Sequence, residues 1–326
     1  MRILLIAVVT VLMAACGNTK KSTEESGKGN VDGVPVFSAD SAYLFCEHQC
    51  NFGPRIMNSE AHERCGQWIA AKFRRYGMEI QLQRADLRGY DGTLLKSTNI
   101  IASYRPEQTD RILLCAHWDS RPWADNDPDP RNHHTPVMAA NDGASGVAVM
   151  LEVARLLSAD TLSVGVDFVC FDAEDWGTPQ WEKSGDSDSD TWALGAQYWA
   201  EHPQTPKARF GILLDMVGGE GARFYQEQVS LIFAPDVVKR VWAAAEAIGY
   251  GSLFPKDEGH AITDDHLPVN QKAGIPCIDI IPCYPDCATS SFGPTWHTVD
   301  DTMEHIDKTT LQAVGQTIVY VLFSSL

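Results

Sequence analysis

The chain predicts one α/β domain with a largely buried central sheet flanked by helices, and three observations predict it. Apolar runs of strand length alternate with stretches of helical spacing from residue 59 to residue 323. Three of those runs stop abruptly at a polar or charged side chain, as buried strands do when their carboxyl ends carry ligand-binding groups. The 326 residues are 44% hydrophobic and 21% charged, which suits a globular core and excludes collagen-like, coiled-coil and wholly disordered chains. No internal repeat and no interior linker divides the chain, so its elements belong to one layered fold.

Taken in order, Ser59 to Tyr76 has helical spacing, with Ala61, Cys65, Trp68, Ile69 and Phe73 on one side and Gly77 as its stop. Glu79 to Leu87 alternates as a strand, and Asn99 to Tyr104 forms another. Arg111 to His117 is a buried strand ending in an imidazole. Ser145 to Leu157 is a helix with an apolar stripe of Val149, Val153, Leu156 and Leu157. Val164 to Phe171 is a second buried strand, followed directly by Asp172-Ala173-Glu174-Asp175. Thr191 to Glu201 reads as helix, Phe210 to Leu214 as a strand ending at Asp215, and Pro235 to Ile248 as helix. Pro276 to Ile281 is the last strand and Lys308 to Phe323 the closing helix. Trp118 to Pro136 and Trp176 to Asp190 are long loops, a length that in compact domains often marks function.

The charge balance is acidic: 26 Lys and Arg against 43 Asp and Glu, a net charge of −17. Such a surface repels phosphate backbones, and without a basic cluster the chain is not expected to bind nucleic acid.

The N-terminal segment reads as an address. Arg2 precedes an apolar stretch, Ile3 to Ala15, too short to span a membrane and ending in Ala14-Ala15-Cys16. Cys after Ala-Ala resembles a bacterial lipoprotein signal, which implies cleavage before Cys16 and lipid on its thiol. Residues 1–15 are then a signal peptide, residues 16–35 a lipidated flexible tether of small and polar residues, and residues 36–326 the catalytic domain. The expected location is an exported lipoprotein on the periplasmic side, anchored to a membrane through Cys16. An exported compartment permits disulfides, whose pairing the spacing leaves open. Cys46/Cys50 and Cys283/Cys287 each enclose three residues, like two halves of a thiolate zinc site, but a better metal constellation exists. Cys115 and Cys170 fall inside apolar strands as core residues. Trp118, Trp192 and Trp199 are expected to serve ordinary packing.

That constellation gathers at element ends: His117, Asp119, Asp142, Glu174, Asp175, Asp215 and His297. Carboxylate oxygens and imidazoles without thiolate suit zinc in a hydrolytic or Lewis-acid site, with a position open to substrate. Adjacent Glu174 and Asp175 offer a division of labour in which one holds metal while the other moves protons.

Ala116-His117-Trp118-Asp119-Ser120, Asn141-Asp142-Gly143, Asp172-Ala173-Glu174-Asp175, Leu214-Asp215 and Trp296-His297-Thr298 resemble, in order, the motifs of the zinc aminopeptidase and glutaminyl cyclase superfamily. The similarity spans roughly residues 40 to 326 and implies a mixed, mostly parallel sheet. Asp264-Asp265-His266-Leu267-Pro268 and the tail from Phe292 through Trp296-His297 to Asp301 resemble the glutaminyl cyclase branch. That resemblance implies one zinc on Asp142, Asp175 and His297, with Glu174 as general acid/base and Asp215 and Asp264 as its acidic partners. It also implies that Trp296, Phe292, Trp181 and Thr263 line the substrate site. Two positions depart from the branch's animal members: Asp175 stands where they carry Glu, and Thr263 where they carry Gln. The implied reaction turns an N-terminal glutamine of a peptide or protein into pyroglutamate with loss of ammonia, performed by an expected monomer.

Two rivals stand beside this reading. An exported dinuclear aminopeptidase of the same fold would use His117 and Asp215 for a second zinc bridged by Asp142, and every side chain it needs is present; His117 and Asp119 are otherwise structural. A lipid-tethered binding protein without catalysis is the other, against which Glu174 and the intact ligand set argue.

Overall fold

The computed structural model describes residues 33–159, 161–182, 189–202 and 205–324. Among these residues six strands form one mixed sheet: β1 (Glu79–Arg88), β2 (Leu94–Tyr104), β3 (Arg111–His117), β4 (Gly165–Phe171), β5 (Phe210–Leu214) and β6 (Cys277–Ile280). Their order across the sheet is β1-β2-β4-β3-β5-β6. The β1–β2 and β2–β4 pairs are antiparallel, whereas β4–β3, β3–β5 and β5–β6 are parallel. Among the described residues eight α-helices surround it: α1 (Ala39–Cys50), α2 (Glu60–Arg75), α3 (Ala144–Leu157), α4 (Leu194–Glu201), α5 (Gln228–Phe233), α6 (Pro235–Ala247), α7 (His266–Gln271) and α8 (Lys308–Ser324).

Strand side chains alternate between two cores, as a sheet covered on both faces requires. Ile112, Leu114, Val166, Phe168, Ile212 and Leu214 join the larger one with residues of α1, α2, α3, α6 and α8. Leu113, Cys115, Val169, Phe171 and Leu213 turn to the other face, against Ala196 and Trp199 of α4 and Val269 of α7. Residues preceding α1 belong to the larger core: Phe37 is buried against α8, and its N–H donates to Gln316 Oε1 at 2.8 Å.

The register assembles the site. His117 is paired with Phe171, so the Asp172–Asp175 turn leaves β4 beside the end of β3. Cys115 is paired with Leu213, and two residues further along the same register Asp215 stands beside His117. A Cβ on Gly146 would lie 2.1 Å from the Leu214 carbonyl oxygen and 2.8 Å from Ala116 Cβ. Only glycine lets the first turn of α3 rest directly on β3 and β5, which carries Asp142 to the same edge.

Most expected elements are present within a few residues. β2 begins at Leu94 rather than Asn99 because its first residues pair with the end of β1, Arg88 opposite Leu94. α4 begins three residues late, because Ser189–Thr191 is a short 3-10 turn and Ala193 takes φ +53. Helices α1, α5 and α7 went unforeseen. Residues 1–32, with the expected signal peptide, most of the tether and Cys16, lie outside the described residues.

Candidate active site

At the carboxyl edge of the parallel strands, two donor groups share one aspartate. His297 Nε2 lies 3.2 Å from Asp175 Oδ1 and 3.5 Å from Asp142 Oδ2. On the other side, His117 Nε2 lies 3.0 Å from Asp142 Oδ1 and 3.2 Å from Asp215 Oδ1. All five residues are buried. Asp142 therefore presents one oxygen to each group.

The surrounding backbone aims these groups. Gly143 takes φ +99, and a Cβ there would stand 2.8 Å from the Asp119 carbonyl oxygen and 2.9 Å from His117 Cε1. Ala173, Met216 and His297 all sit at φ between +49 and +54, beside or within the cluster. Left-handed conformations cost a non-glycine residue about 1–3 kcal/mol and persist only where the surroundings enforce them.

Hydrogen bonds fix the rest. Asp119 accepts from the Glu174 and Asp175 N–H groups at 3.1 and 3.2 Å, so its carboxylate cradles the turn that bears both acids. Its Oδ1 also stands 3.5 Å from His117 Nδ1. Asp301 accepts from the Asn141 and Asp142 N–H groups at 2.8 and 3.0 Å. His297 Nδ1 lies 3.2 Å from Asp125 Oδ1, and Arg121 grips Asp125 with two bonds of 3.1 and 2.6 Å. Arg121 and Asp125 were not singled out from the sequence, whereas Asp301 entered as the last residue of the tail motif. Supporting carboxylates and guanidinia follow no spacing; the placement of Arg121 and Asp125 within a long loop beside the site was their only signal.

These residues fit zinc. Neither carboxylate oxygen of Asp175 has a hydrogen-bond partner among the described residues, although the residue is buried. His297 Nε2 at 3.2 Å and Arg121 Nη1 at 3.6 Å flank Oδ1, and a cation would offset more of the cost of burying this carboxylate. Asp125 on Nδ1 leaves His297 Nε2 free to face Asp142 and Asp175, the way carboxylates orient metal-binding imidazoles. The donor set of imidazole nitrogen and carboxylate oxygen is one that zinc accepts. His117, Asp142 and Asp215 offer a second set of the same chemistry, and none of the candidate metal groups among the described residues contains a cysteine. The thiolate halves play no such part: Cys46 and Cys50 are buried in α1, Cys283 and Cys287 are partly exposed, and all four are free thiols.

Burial shapes the acidity. Glu174 is held well above the usual carboxylate range, first by desolvation and then by Asp264 and Asp175 nearby. Burial, with Asp142 and Asp175 adding, pushes Asp215 up to about 6, and burial with Asp215 pushes Asp264 up to about 7. For His297 burial works downward, but Asp175 and Asp125 outweigh it and raise the imidazole to about 9.

A cavity of about 280 Å³ opens over the cluster, with Asp142, Glu174, Asp215, Asp264 and His297 on its polar side. Trp296, Phe292, Trp192, Met216, Ile262 and Ile281 supply its apolar wall, and Thr263 and Ser189 line it too. Trp296 stacks on the His297 ring at 3.8 Å between centroids, and Trp192 lies nearly parallel to that ring at 6.0 Å. Trp181 is not brought to this wall. It is 42% exposed and packs against Trp123 and His134, because the loop after Asp175 carries Trp192 rather than Trp181 over the cavity. Trp118 and Trp199 are buried in the cores as expected; Trp192 departs from the packing role expected of it. A larger groove of about 770 Å³ runs between α2 and the first two strands, past His62 and Trp118, and contains none of the clustered metal-donor side chains.

Comparison with known proteins matches this picture. The profile of peptidase family M28 matches residues 99–322. A glutaminyl cyclase of Bacteroides thetaiotaomicron, solved with N-acetylhistamine bound, superposes with a TM-score of 0.86 at 53% identity over 89% of this chain and 99% of that one. A structure described as a leucine aminopeptidase precursor from Bacteroides thetaiotaomicron VPI-5482 superposes at 0.85 with 53% identity, over 90% of this chain and 99% of that one. Aminopeptidase YwaD of Bacillus subtilis is 28% identical over 75% of this chain, which spans 48% of the length of that relative.

Proposed function

The chain belongs to peptidase family M28, and on that premise we propose that it is a glutaminyl-peptide cyclotransferase acting on peptides and proteins with N-terminal glutamine. One observation carries the reading: a small cavity joins buried Glu174 and its acidic neighbours to walls of Trp192, Trp296 and Phe292. At about 280 Å³ it offers room for one side chain against apolar walls.

An N-terminal glutamine brings both reactants. Its α-amine attacks its own γ-carboxamide carbon, the ring C–N bond forms, the bond to the amide nitrogen breaks and ammonia departs. Intramolecular placement removes most of the entropic cost of bringing the two groups together. Glu174 accepts the proton the amine loses and returns it to the departing nitrogen. A carboxyl whose proton affinity is raised by burial is suited to both halves of that transfer. Asp215 and Asp264 face the same cavity, their carboxyls raised by burial to about 6 and about 7, and so support the exchange. Trp296 and Phe292 exclude water, which would otherwise compete as nucleophile. Zinc on Asp142, Asp175 and His297, when bound, supplies a Lewis acid for the γ-carbonyl oxygen.

A peptidase reading keeps one specific support, the His117–Asp142–Asp215 group, which duplicates the donor chemistry of the first. The deciding experiment gives the purified protein a Gln-headed peptide. Pyroglutamyl peptide with one ammonia per turnover supports cyclisation; free glutamine overturns it in favour of hydrolysis. Zinc stoichiometry measured on the same sample adds a second readout, one ion expected for the cyclase and two for the peptidase. We also propose that the enzyme is exported and lipid-anchored through Cys16, where it would meet proteins whose signal cleavage exposes glutamine.

A further inference from the structure

Behind the cavity, Glu227 organises the wall that carries Asp264. It is buried, 2% exposed, yet it is no part of the donor cluster. Its two carboxylate oxygens accept five hydrogen bonds. Val229 N–H and Ser230 N–H donate at 2.7 and 2.6 Å, and Ser230 Oγ donates at 2.7 Å, anchoring the carboxylate to the start of α5. The other two come from a separate stretch of chain: Ile262 N–H at 3.0 Å and His266 Nε2 at 3.2 Å.

Ile262 and His266 bracket Thr263, Asp264 and Asp265, and the first two of these line the cavity. One carboxylate thus holds both ends of a five-residue segment whose middle bears a proposed catalytic acid. The segment's C-terminal side is also held by the first turn of α7, where the Asp264 carbonyl accepts from Leu267 N–H at 2.9 Å and the His266 carbonyl from Asn270 Nδ2 at 2.8 Å. Asp264 Oδ1 accepts from the next residue's N–H at 2.5 Å, while its Oδ2, buried, has no hydrogen-bond partner among the described residues. The far side of the His266 ring faces Asp279 Oδ2 at 3.8 Å, and the Asp279 N–H donates to Ser230 Oγ at 2.9 Å. The clamp is thereby tied to β6 as well. A buried carboxylate at hydrogen-bond distance from a buried imidazole forms a directional link.

We propose that Glu227 is the positioning residue of Asp264, clamping Ile262 and His266 so that the Asp264 carboxyl faces Glu174 across the cavity. This rests on the reading that Asp264 supports proton transfer there.

The test is a double-mutant cycle with zinc-loaded full-length protein: Glu227→Gln, Asp264→Asn, and both together. Rates are followed as whichever product the wild type releases, pyroglutamyl peptide or free glutamine. The cycle can therefore fail independently of the cyclase assignment. Glu227→Gln alone is expected to lower kcat about tenfold or more while leaving KM within about threefold and the zinc count unchanged. Added to Asp264→Asn it should cost less than about twofold further, because a residue acting through Asp264 has nothing left to position. Losses that multiply, a folded Glu227→Gln enzyme with wild-type kcat, or an Asp264→Asn enzyme with wild-type kcat would each overturn the proposal. So would a crystal structure of Glu227→Gln with Ile262–His266 unmoved. Should that variant not fold, His266→Gln repeats the cycle while sparing the four other bonds to Glu227.

Discussion

Single side chains decide the chemistry, and three substitutions separate their roles. Glu174→Gln keeps the shape of the cavity and spares all the donors around Asp142, so zinc content should stay at the wild-type value. Its turnover should fall by about 10²–10⁴, the usual size of a general acid/base contribution, and a near-normal steady-state rate would remove Glu174 from the mechanism. His297→Ala takes away one of the donors facing Asp175 and leaves Asp125 with Arg121 but no imidazole to orient; elemental analysis should find the metal lost together with activity. Asp215→Ala should slow the reaction with the zinc count still near one. A count that drops from two to one would instead favour hydrolysis. The residues in these three tests are legible in the sequence, because each closes an apolar run or belongs to a short motif. Trp192 is not, since an indole follows no spacing rule that distinguishes a cavity wall from a core. Trp181, eleven residues earlier in the same loop, offers the same signal and packs elsewhere.

Elements carry the next level. Apolar runs betray β3, β4 and β5 because both faces of the central strands are covered, and the charge that interrupts β4, Asp167, is paired with Arg111 at the start of β3. Helix α1 escapes because Gln49 sits on its buried side, where its amide donates to the Ala144 carbonyl at 2.9 Å and blurs the apolar stripe. α5 and α7 are six residues each, too short for a periodicity to show. Two predictions belong here. Gly146→Ala would drive a methyl to 2.1 Å from the Leu214 carbonyl oxygen, so α3 must shift from the sheet. Overpacking of this kind costs typically about 1–3 kcal/mol, and a thermal melt should show a midpoint several degrees lower. The second concerns acid. Burial alone would raise the Glu227 pKa, but His266 and the Ser230 and Val229 donors outweigh it and bring it from 4.5 down to about 2. A carboxyl depressed in the folded state stabilises the protein above its unfolded value and loses that contribution as pH falls toward the folded one. The wild type should therefore lose on the order of 3 kcal/mol relative to Glu227→Gln between about pH 5 and about pH 2. Urea midpoints of the two proteins across that range measure it, and parallel curves would contradict the shift.

For the molecule as a whole, composition and strand alternation lead to the α/β class, whereas the antiparallel β1–β2 flank and the strand order are visible only in the fold. Hydrogen-bonding register is set by long-range packing that no local pattern records. The expected lipid anchor gives the largest-scale test. Cys16→Ser should move the protein from the membrane pellet to the soluble fraction, and mass spectrometry of the wild type should find acyl chains on the N-terminal peptide. Unmodified Cys16 in mature protein would refute it. Asp142 has a consequence at this scale as well. One of its oxygens faces His297 and the other faces His117, so each basin can be edited without dismantling its neighbour. A lineage could abandon bond-splitting by water and keep ring-making, or travel the opposite way, by altering His117 on an otherwise untouched scaffold. In such a family, kinship by shape runs ahead of kinship by reaction, and the two must be measured separately.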